Sequence, residues 1–216
     1  ALGRGDEAAA LLQPILELKD AEQLDATYLR WLTEFRLSRN EWAMAEQAAR
    51  LMVTRTEEQS AQRLDALVLQ AKAQEGLQQY ASALTAYQSA YAIVLTPPTT
   101  QRVEAALGVG RLSLANGAND AAYLAFVDAS KMANQDTALG RHQLALAYQG
   151  IAEASRKKGD IDVSLRASMR LIIFFDDAEI VPLAYKNAFE ILSQKGQTEQ
   201  AENLRDEFQK RYGKAL

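Results

Sequence analysis

The sequence predicts an all-α protein built from stacked antiparallel helix pairs. Three observations lead there: a bias to helix-forming residues, a turn signal that recurs about every 38 residues, and no stretch alternating apolar and polar residues for long enough to make a strand. Proline occurs only 4 times and glycine 11 times in 216 residues, while alanine, leucine, glutamate and glutamine dominate. All four are good helix formers. Hydrophobic residues at 48% and charged residues at 24% exclude a disordered chain.

The turn signal is a small or turn-forming residue followed, five positions later, by a small residue that opens an apolar helical face. It reads Gly3…Ala8, Asn40…Ala45, Gln78…Ala83, Gly117…Ala122, Gly159…Ser164 and Gly196…Ala201. Between the two members of most pairs sits Trp42, Tyr80, Asn119, Ile161 or Thr198. Upstream of a turn, apolar residues recur at i, i+3, i+4 and i+7, as at Ala106, Val109, Gly110 and Ser113. Downstream, Ala122, Phe126 and Ala129 make the matching face, so each signal joins two helices. Gly117, Gly159 and Gly196 are expected to close the first helix in the left-handed conformation, and Asp120, Asp160 and Thr198 to cap the next. Pro97-Pro98 is expected to end one second helix, and Pro182 to sit in the first turn of another.

Taken in order, the chain opens with a half-unit at 1–20. There a turn at Gly3 is followed by one helix whose face holds Ala8, Leu11, Leu12 and Ile15, and which Pro14 interrupts or kinks. A helix with an unmatched apolar face is a poor end for a stack, so the chain is expected to be a fragment with further sequence upstream. Five units follow. They lie at about 26–59, with Leu29, Leu32, Trp42 and Ala45, and 64–97, with Leu67, Ala71, Tyr80, Ala83, Tyr87 and Ala90. The next, 103–136, carries Gly110, Gly117, Ala122, Phe126 and Ala129. The unit 145–178 carries Tyr148, Ile151, Ala152, Gly159, Ile161 and Ser164, and 182–215 carries Tyr185, Leu192, Gly196 and Ala201.

These positions resemble the tetratricopeptide repeat, in which a small residue and an aromatic on the first helix precede a glycine-tyrosine turn and an alanine-aromatic-alanine second helix. The resemblance implies a right-handed superhelical α-solenoid of about five and a half repeats, forming one domain. The usual pitch is about 34 residues, so each unit here is longer, and HEAT-type repeats of about 40 to 47 residues are the competing reading. The Gly-x-Tyr/Ile-x-x-Ala turns favour the tetratricopeptide type. Short side chains let paired helices approach closely, so Ala71, Gly110 and Ala152 are expected to face Ala83, Ala122 and Ser164. A large residue at Gly110 or Ala122 should then cost about 1–3 kcal/mol. The ending Glu207-Phe208-Gln209-Lys210-Arg211-Tyr212 is similar to the close of bacterial cell-envelope members of the Tol-Pal-associated and outer-membrane assembly type. That similarity favours the periplasm or cell envelope over the cytoplasm.

Chemistry is poorly represented. The chain has no cysteine and one histidine, His142, so no zinc site or cysteine nucleophile can be assembled, and His142 reads as a surface or capping residue. Gly108-Val109-Gly110 with Ser113 imitates half a dinucleotide fingerprint but lies within a helix, not after a strand. Asp176, Asp177 and Glu179 read as a solvated loop with an N-cap; calcium would need six or more oxygens. Arg156-Lys157-Lys158 suits the negative end of a helix, and Trp31, Trp42, Phe174 and Phe175 are expected in the core. No cofactor and no catalysis are expected. A net charge of −4 without a basic stripe argues against nucleic acid, and no apolar run is long enough for membrane insertion.

The resemblance implies a concave face on the first helices. By that alignment it is lined by Thr27, Arg30, Glu34, Asp65, Lys72, Glu75, Glu104, Arg111, Gln149, Glu153, Arg156, Lys186 and Glu190. Members that clamp a chaperone C-terminus use lysine and asparagine at positions five and nine of the first helix. The pairs here are Arg30/Glu34, Val68/Lys72, Leu107/Arg111, Gln149/Glu153 and Lys186/Glu190, and none supplies the asparagine. Oppositely charged residues four apart on a helix stabilise it by about 0.2–0.5 kcal/mol, which can be their whole role. The resulting expectation is a non-catalytic scaffold that docks a protein or peptide. The alternative is a sensor segment of a larger signalling or transcription protein. Upstream sequence discriminates them, through a signal peptide or lipidation site against a DNA-binding or ATPase domain.

Overall fold

The computed structural model describes residues 2–17 and 25–215, and among these it contains eleven α-helices and no strand. They are α1 (Leu2–Glu17), α2 (Ala26–Ser38), α3 (Trp42–Thr54), α4 (Ala61–Gly76), α5 (Tyr80–Tyr91) and α6 (Thr100–Ala115). After these come α7 (Asn119–Met132), α8 (Ala138–Lys158), α9 (Ile161–Phe174), α10 (Ile180–Gln194) and α11 (Thr198–Tyr212). The chain forms two compact units, Ala1–Ala105 and Ala106–Leu216, with the boundary inside α6. In the first, α1 packs on α2, α2 on α3, α3 on α4 and α4 on α5. In the second, α7 packs on α8, α8 on α9, α9 on α10 and α10 on α11. The first helices of successive pairs also touch, α2 with α4 and α8 with α10, which sets their outer faces side by side.

One turn geometry recurs inside every pair from α2/α3 to α10/α11. Asn40, Gln78, Gly117, Gly159 and Gly196 all adopt positive φ, at 60°, 61°, 77°, 84° and 71°. The next residue sends its N–H five positions back, from Glu41 to Arg36 (3.0 Å), Gln79 to Gln74 (2.8 Å), Ala118 to Ser113 (2.9 Å), Asp160 to Ser155 (2.8 Å) and Gln197 to Leu192 (2.9 Å). This is the Schellman closure, which satisfies the last carbonyls of the outgoing helix. Two residues after the left-handed position the second helix begins, at Trp42, Tyr80, Asn119, Ile161 and Thr198. The small residue of the signal then lies one turn in, and all five are buried: Ala45, Ala83, Ala122, Ser164 and Ala201.

First helices start differently, from loops whose side chains accept their orphan N–H groups. Asp25 accepts from Thr27 N (2.7 Å), Ser60 from Arg63 N (3.1 Å), Thr99 from Arg102 N (3.3 Å) and Thr137 from Gly140 N (3.0 Å). Asp177 accepts from both Glu179 N and Ile180 N at 3.0 Å, the N-cap expected of the 176–179 loop.

Each compact unit has its own core. In the first, Leu29 and Leu32 of α2 meet Ala48, Ala49 and Met52 of α3 and Ala66 and Leu69 of α4. In the second, fully buried Tyr185 of α10 donates its hydroxyl to Glu207 (2.7 Å) and lies edge-on to Phe208 at 5.3 Å. Burying a side chain of this size stabilises by about 1.5–3 kcal/mol.

Several expectations fail in instructive ways. What Gly110 meets most closely is the ring of Phe126, one turn beyond Ala122 on α7, and Gly150 of α8 meets the same ring, so the seam holds one aromatic ring between two glycines. Gly3 makes no turn and lies inside α1, which also runs through Pro14. The carbonyl that Pro14 leaves unbonded belongs to exposed Ala10, where water can satisfy it. Of the half-unit 1–20, residues 1 and 18–20 and the side chains of Leu12 and Ile15 lie outside the described residues. Asp120 and Thr198 fall inside their helices, and Asp160 precedes α9 without a side-chain cap bond. α5 ends at Tyr91, well before Pro97-Pro98, so a loop and not a helix leads up to the two prolines. Trp31 and Phe174 are 37% and 75% exposed, outside the core.

Candidate binding surface

The thirteen residues expected on the first-helix face lie on α2, α4, α6, α8 and α10, and within each compact unit they are joined across helices. In the first unit, Arg30 of α2 bonds Asp65 of α4 at 2.9 Å as well as Glu34 on its own helix at 3.3 Å. Lys72 of α4 pairs with Glu104 of α6 at 3.3 Å. In the second unit, Arg156 of α8 donates to Glu190 (2.7 Å) and Asn187 (3.0 Å) of α10. Glu153 instead pairs along α8 with Lys157.

The intrahelical ion pair expected at positions five and nine therefore forms at Arg30/Glu34, and among the described residues none forms at Lys186/Glu190. Glu190 is claimed by Arg156, not by Lys186, because α8 and α10 lie in contact. Val68 and Leu107 are buried at 3% and 4%, so position five in those repeats belongs to the core. Of the remaining expected residues, Thr27, Arg111 and Lys186 are exposed, and Glu75 and Gln149 are half-buried.

Two clefts open on these faces. The one in the first unit measures about 570 Å³ and is lined by Asp25, Thr27, Arg30, Asp65, Thr99 and Gln101, among others. Burial pushes the Asp65 carboxyl above its ordinary range, with Glu34 adding to that and Arg30 opposing it. The cleft in the second unit measures about 210 Å³ and includes Gln149, Glu153, Arg156, Leu183 and Asn187. Asn187 is the residue that sequence reasoning missed. Its amide donates to the hydroxyls of Ser164 (3.0 Å) and Ser168 (2.8 Å) while its carbonyl accepts from Arg156, which fixes the amide at the cleft wall. Ser164 stands where the repeat pattern has alanine, and the bond to Asn187 accounts for the change. Two serines four apart on α9, facing an asparagine one repeat on, were the available signal.

His142 sits at the start of α8 with its Nδ1 2.9 Å from Asp177, tying that helix to the loop that caps α10. Gly108, Val109, Gly110 and Ser113 are buried within α6, as a packing role requires. Lys158 is engaged by Asp120 (2.7 Å) and Asp160 (3.6 Å), and the hydrogen bond to Asp120 raises its pKa.

No protein-family model matches the chain, and no curated protein matches it. Among the described residues no helix is long and apolar enough to cross a membrane, and no group of three or more acidic or histidine side chains is placed to hold a metal ion.

Proposed function

We propose that the chain is a non-catalytic scaffold of the tetratricopeptide type, with the right-handed stacking that family implies, and that it docks a protein or peptide segment on the first-helix faces. One observation carries the reading. The cross-helix pairs Arg30–Asp65, Lys72–Glu104 and Arg156–Glu190 line up charge on those faces beside open clefts, with cationic side chains that are 41–49% exposed. The Lys72–Glu104 and Arg156–Glu190 pairs, exposed on both sides, contribute about 0–1 kcal/mol to stability, so they are poorly explained as struts. They are well suited to exchange one protein partner for another, because a ligand carboxylate or ammonium can replace either member at little net cost. The fixed carbonyl of Asn187, with one lone pair beyond its bond to Arg156, adds an acceptor for a peptide N–H.

Binding of a partner captured from the native host should be measured for the chain and for the triple variant Arg30→Glu, Lys72→Glu, Arg111→Glu. Loss of binding, at unchanged helicity, supports the reading. Unaltered affinity in the charge-reversed variant removes these faces from the account.

A further inference from the structure

The second compact unit has another cleft, on the side of α8 opposite the Gln149–Arg156 face. It measures about 480 Å³ and is walled by α7 and α9, with α8 as its floor. Three cations surround it: Lys131 from α7, and Arg166 and Arg170 from α9. Val127, Ile151, Val163 and Ala167 supply an apolar lining, and Tyr123 and Tyr148 stand over it.

The charge is unbalanced here, on a chain whose net charge is −4. Lys131 pairs along its own helix with Asp128 at 3.3 Å, its own side chain 68% exposed, and a pair of this kind is weak. Among the described residues no carboxylate forms an ion pair with Arg166 or Arg170. The carboxylate one turn before Arg166, that of Asp162, is held by Lys195, and Arg166 attracts it only more weakly, from beyond ion-pair distance. Arg170 lies over the Tyr148 ring at 5.5 Å, and Lys158 over the Tyr123 ring at 4.7 Å. These contacts orient both rings, and neither tyrosine hydroxyl has a protein partner among the described residues. The first-helix faces differ: there Arg30, Lys72 and Arg156 each pair with a carboxylate from the neighbouring helix.

We propose that this cleft binds an acidic peptide segment of a partner protein, its carboxylates on Arg166, Arg170 and Lys131 and its apolar side chains on the Val127–Ile151–Val163 floor. Charge complementarity supports the acidic character. The apolar floor and enclosing helices favour a peptide with alternating acidic and aliphatic residues. Nucleic acid would need a longer positive stripe, and a lipid surface would need protruding apolar groups, not a recessed cleft.

The test uses a fluorescein-labelled peptide of alternating glutamate and leucine, titrated with the full chain by fluorescence anisotropy. An equal-length lysine-leucine peptide, oligothymidylate and phosphatidylserine vesicles serve as comparison probes. The acidic peptide should bind, weakening as salt rises from about 50 mM to about 200 mM, and the lysine-leucine peptide should not. Arg166→Glu with Arg170→Glu should weaken it by about tenfold or more. Arg166→Gln with Arg170→Gln should weaken it less, and both variants should keep the helicity of the parent chain. Arg30→Glu with Lys72→Glu on the other face should leave this binding unchanged, which separates the proposal from the docking reading above. Equal binding of the acidic peptide by parent and doubly reversed chain overturns it. So does binding of oligothymidylate or vesicles through the same arginines as tightly as the acidic peptide.

Discussion

Thr137 and Asp160 each stand immediately before a helix, each with a side-chain oxygen able to take an orphan N–H, yet only Thr137 does so. Thr137 has φ −109° and ψ 149° and accepts from Gly140 N; Asp160 has φ −80° and ψ 63° and makes no side-chain cap bond. The same split runs through the molecule. Glu41, Gln79, Ala118 and Gln197 share the ψ near 60° of Asp160 and also make no cap bond, whereas Asp25 and Ser60 share the extended geometry of Thr137. The residue after a Schellman turn is already committed to closing the outgoing helix. It makes no side-chain cap bond, and at two of the five turns the first N–H of the incoming helix goes to backbone instead, Asn119 N to Gly117 O and Ile161 N to Gly159 O, each at 2.9 Å. Loops between pairs are free of that duty and can be extended. Turn residues within a pair are thus selected for φ, and loop residues for a side-chain acceptor.

The largest test of this contrast is Gly159→Val. Nothing lies within 4 Å of a Cβ built there, so the penalty comes from the φ of 84° alone. The left-handed region costs an ordinary residue about 1–2 kcal/mol and a β-branched one more. An equilibrium urea midpoint should report a loss of about 2 kcal/mol; a neutral result would mean the turn relaxes freely. Asp177→Ala comes next. It removes the acceptor for two N–H groups and the partner of His142, so about 1.5 kcal/mol should be lost. In hydrogen exchange, the loss should be concentrated in the first turn of α10.

Gln78→Gly inverts the sign. Gln78 holds φ 61° against its preference, and its N–H bond to Glu75 (2.9 Å) survives the change. Relief of the left-handed strain, less the extra freedom glycine gives the unfolded chain, should raise stability by about 0.5–1 kcal/mol. If stability falls, the side chain of Gln78 has a role that the turn geometry does not reveal.

The recurring turn was legible in the sequence because backbone strain selects residue types at a fixed offset. Asn40, Gln78 and three glycines mark the left-handed position, and a small buried residue follows each by five. Side-chain contacts between repeats were not legible. Nothing in Gly110 or Gly150 alone says that both press on Phe126, since that depends on which helices become neighbours. Glu190 pairs with Arg156 and not with Lys186 for the same reason. The α7–α9 cleft was overlooked because its cations, Lys131, Arg166 and Arg170, are spread over two helices. They matter together only once α8 brings those helices within one cleft. The exposed Trp31, stacked on Phe35 at 5.3 Å, shows that aromatic character alone does not place a side chain in the core.

The finest prediction pairs Asp160→Ala with Thr137→Ala. By residue type and position, both are N-caps and both changes should cost about 1 kcal/mol. By geometry only Thr137 makes the bond, so Thr137→Ala should lose about 1 kcal/mol. Asp160→Ala should stay within about 0.5 kcal/mol of the parent. Asp160 does contribute to the ion pairing of Lys158, but at 3.6 Å and half-exposed that contact is worth little, and Asp120 holds the same ammonium at 2.7 Å. Low salt sharpens the measurement: a residual loss at Asp160 that fades as salt rises belongs to Lys158. A loss that salt leaves untouched would mean the carboxylate reaches the α9 N-terminus in solution, and the distinction between turn and loop residues would fall with it.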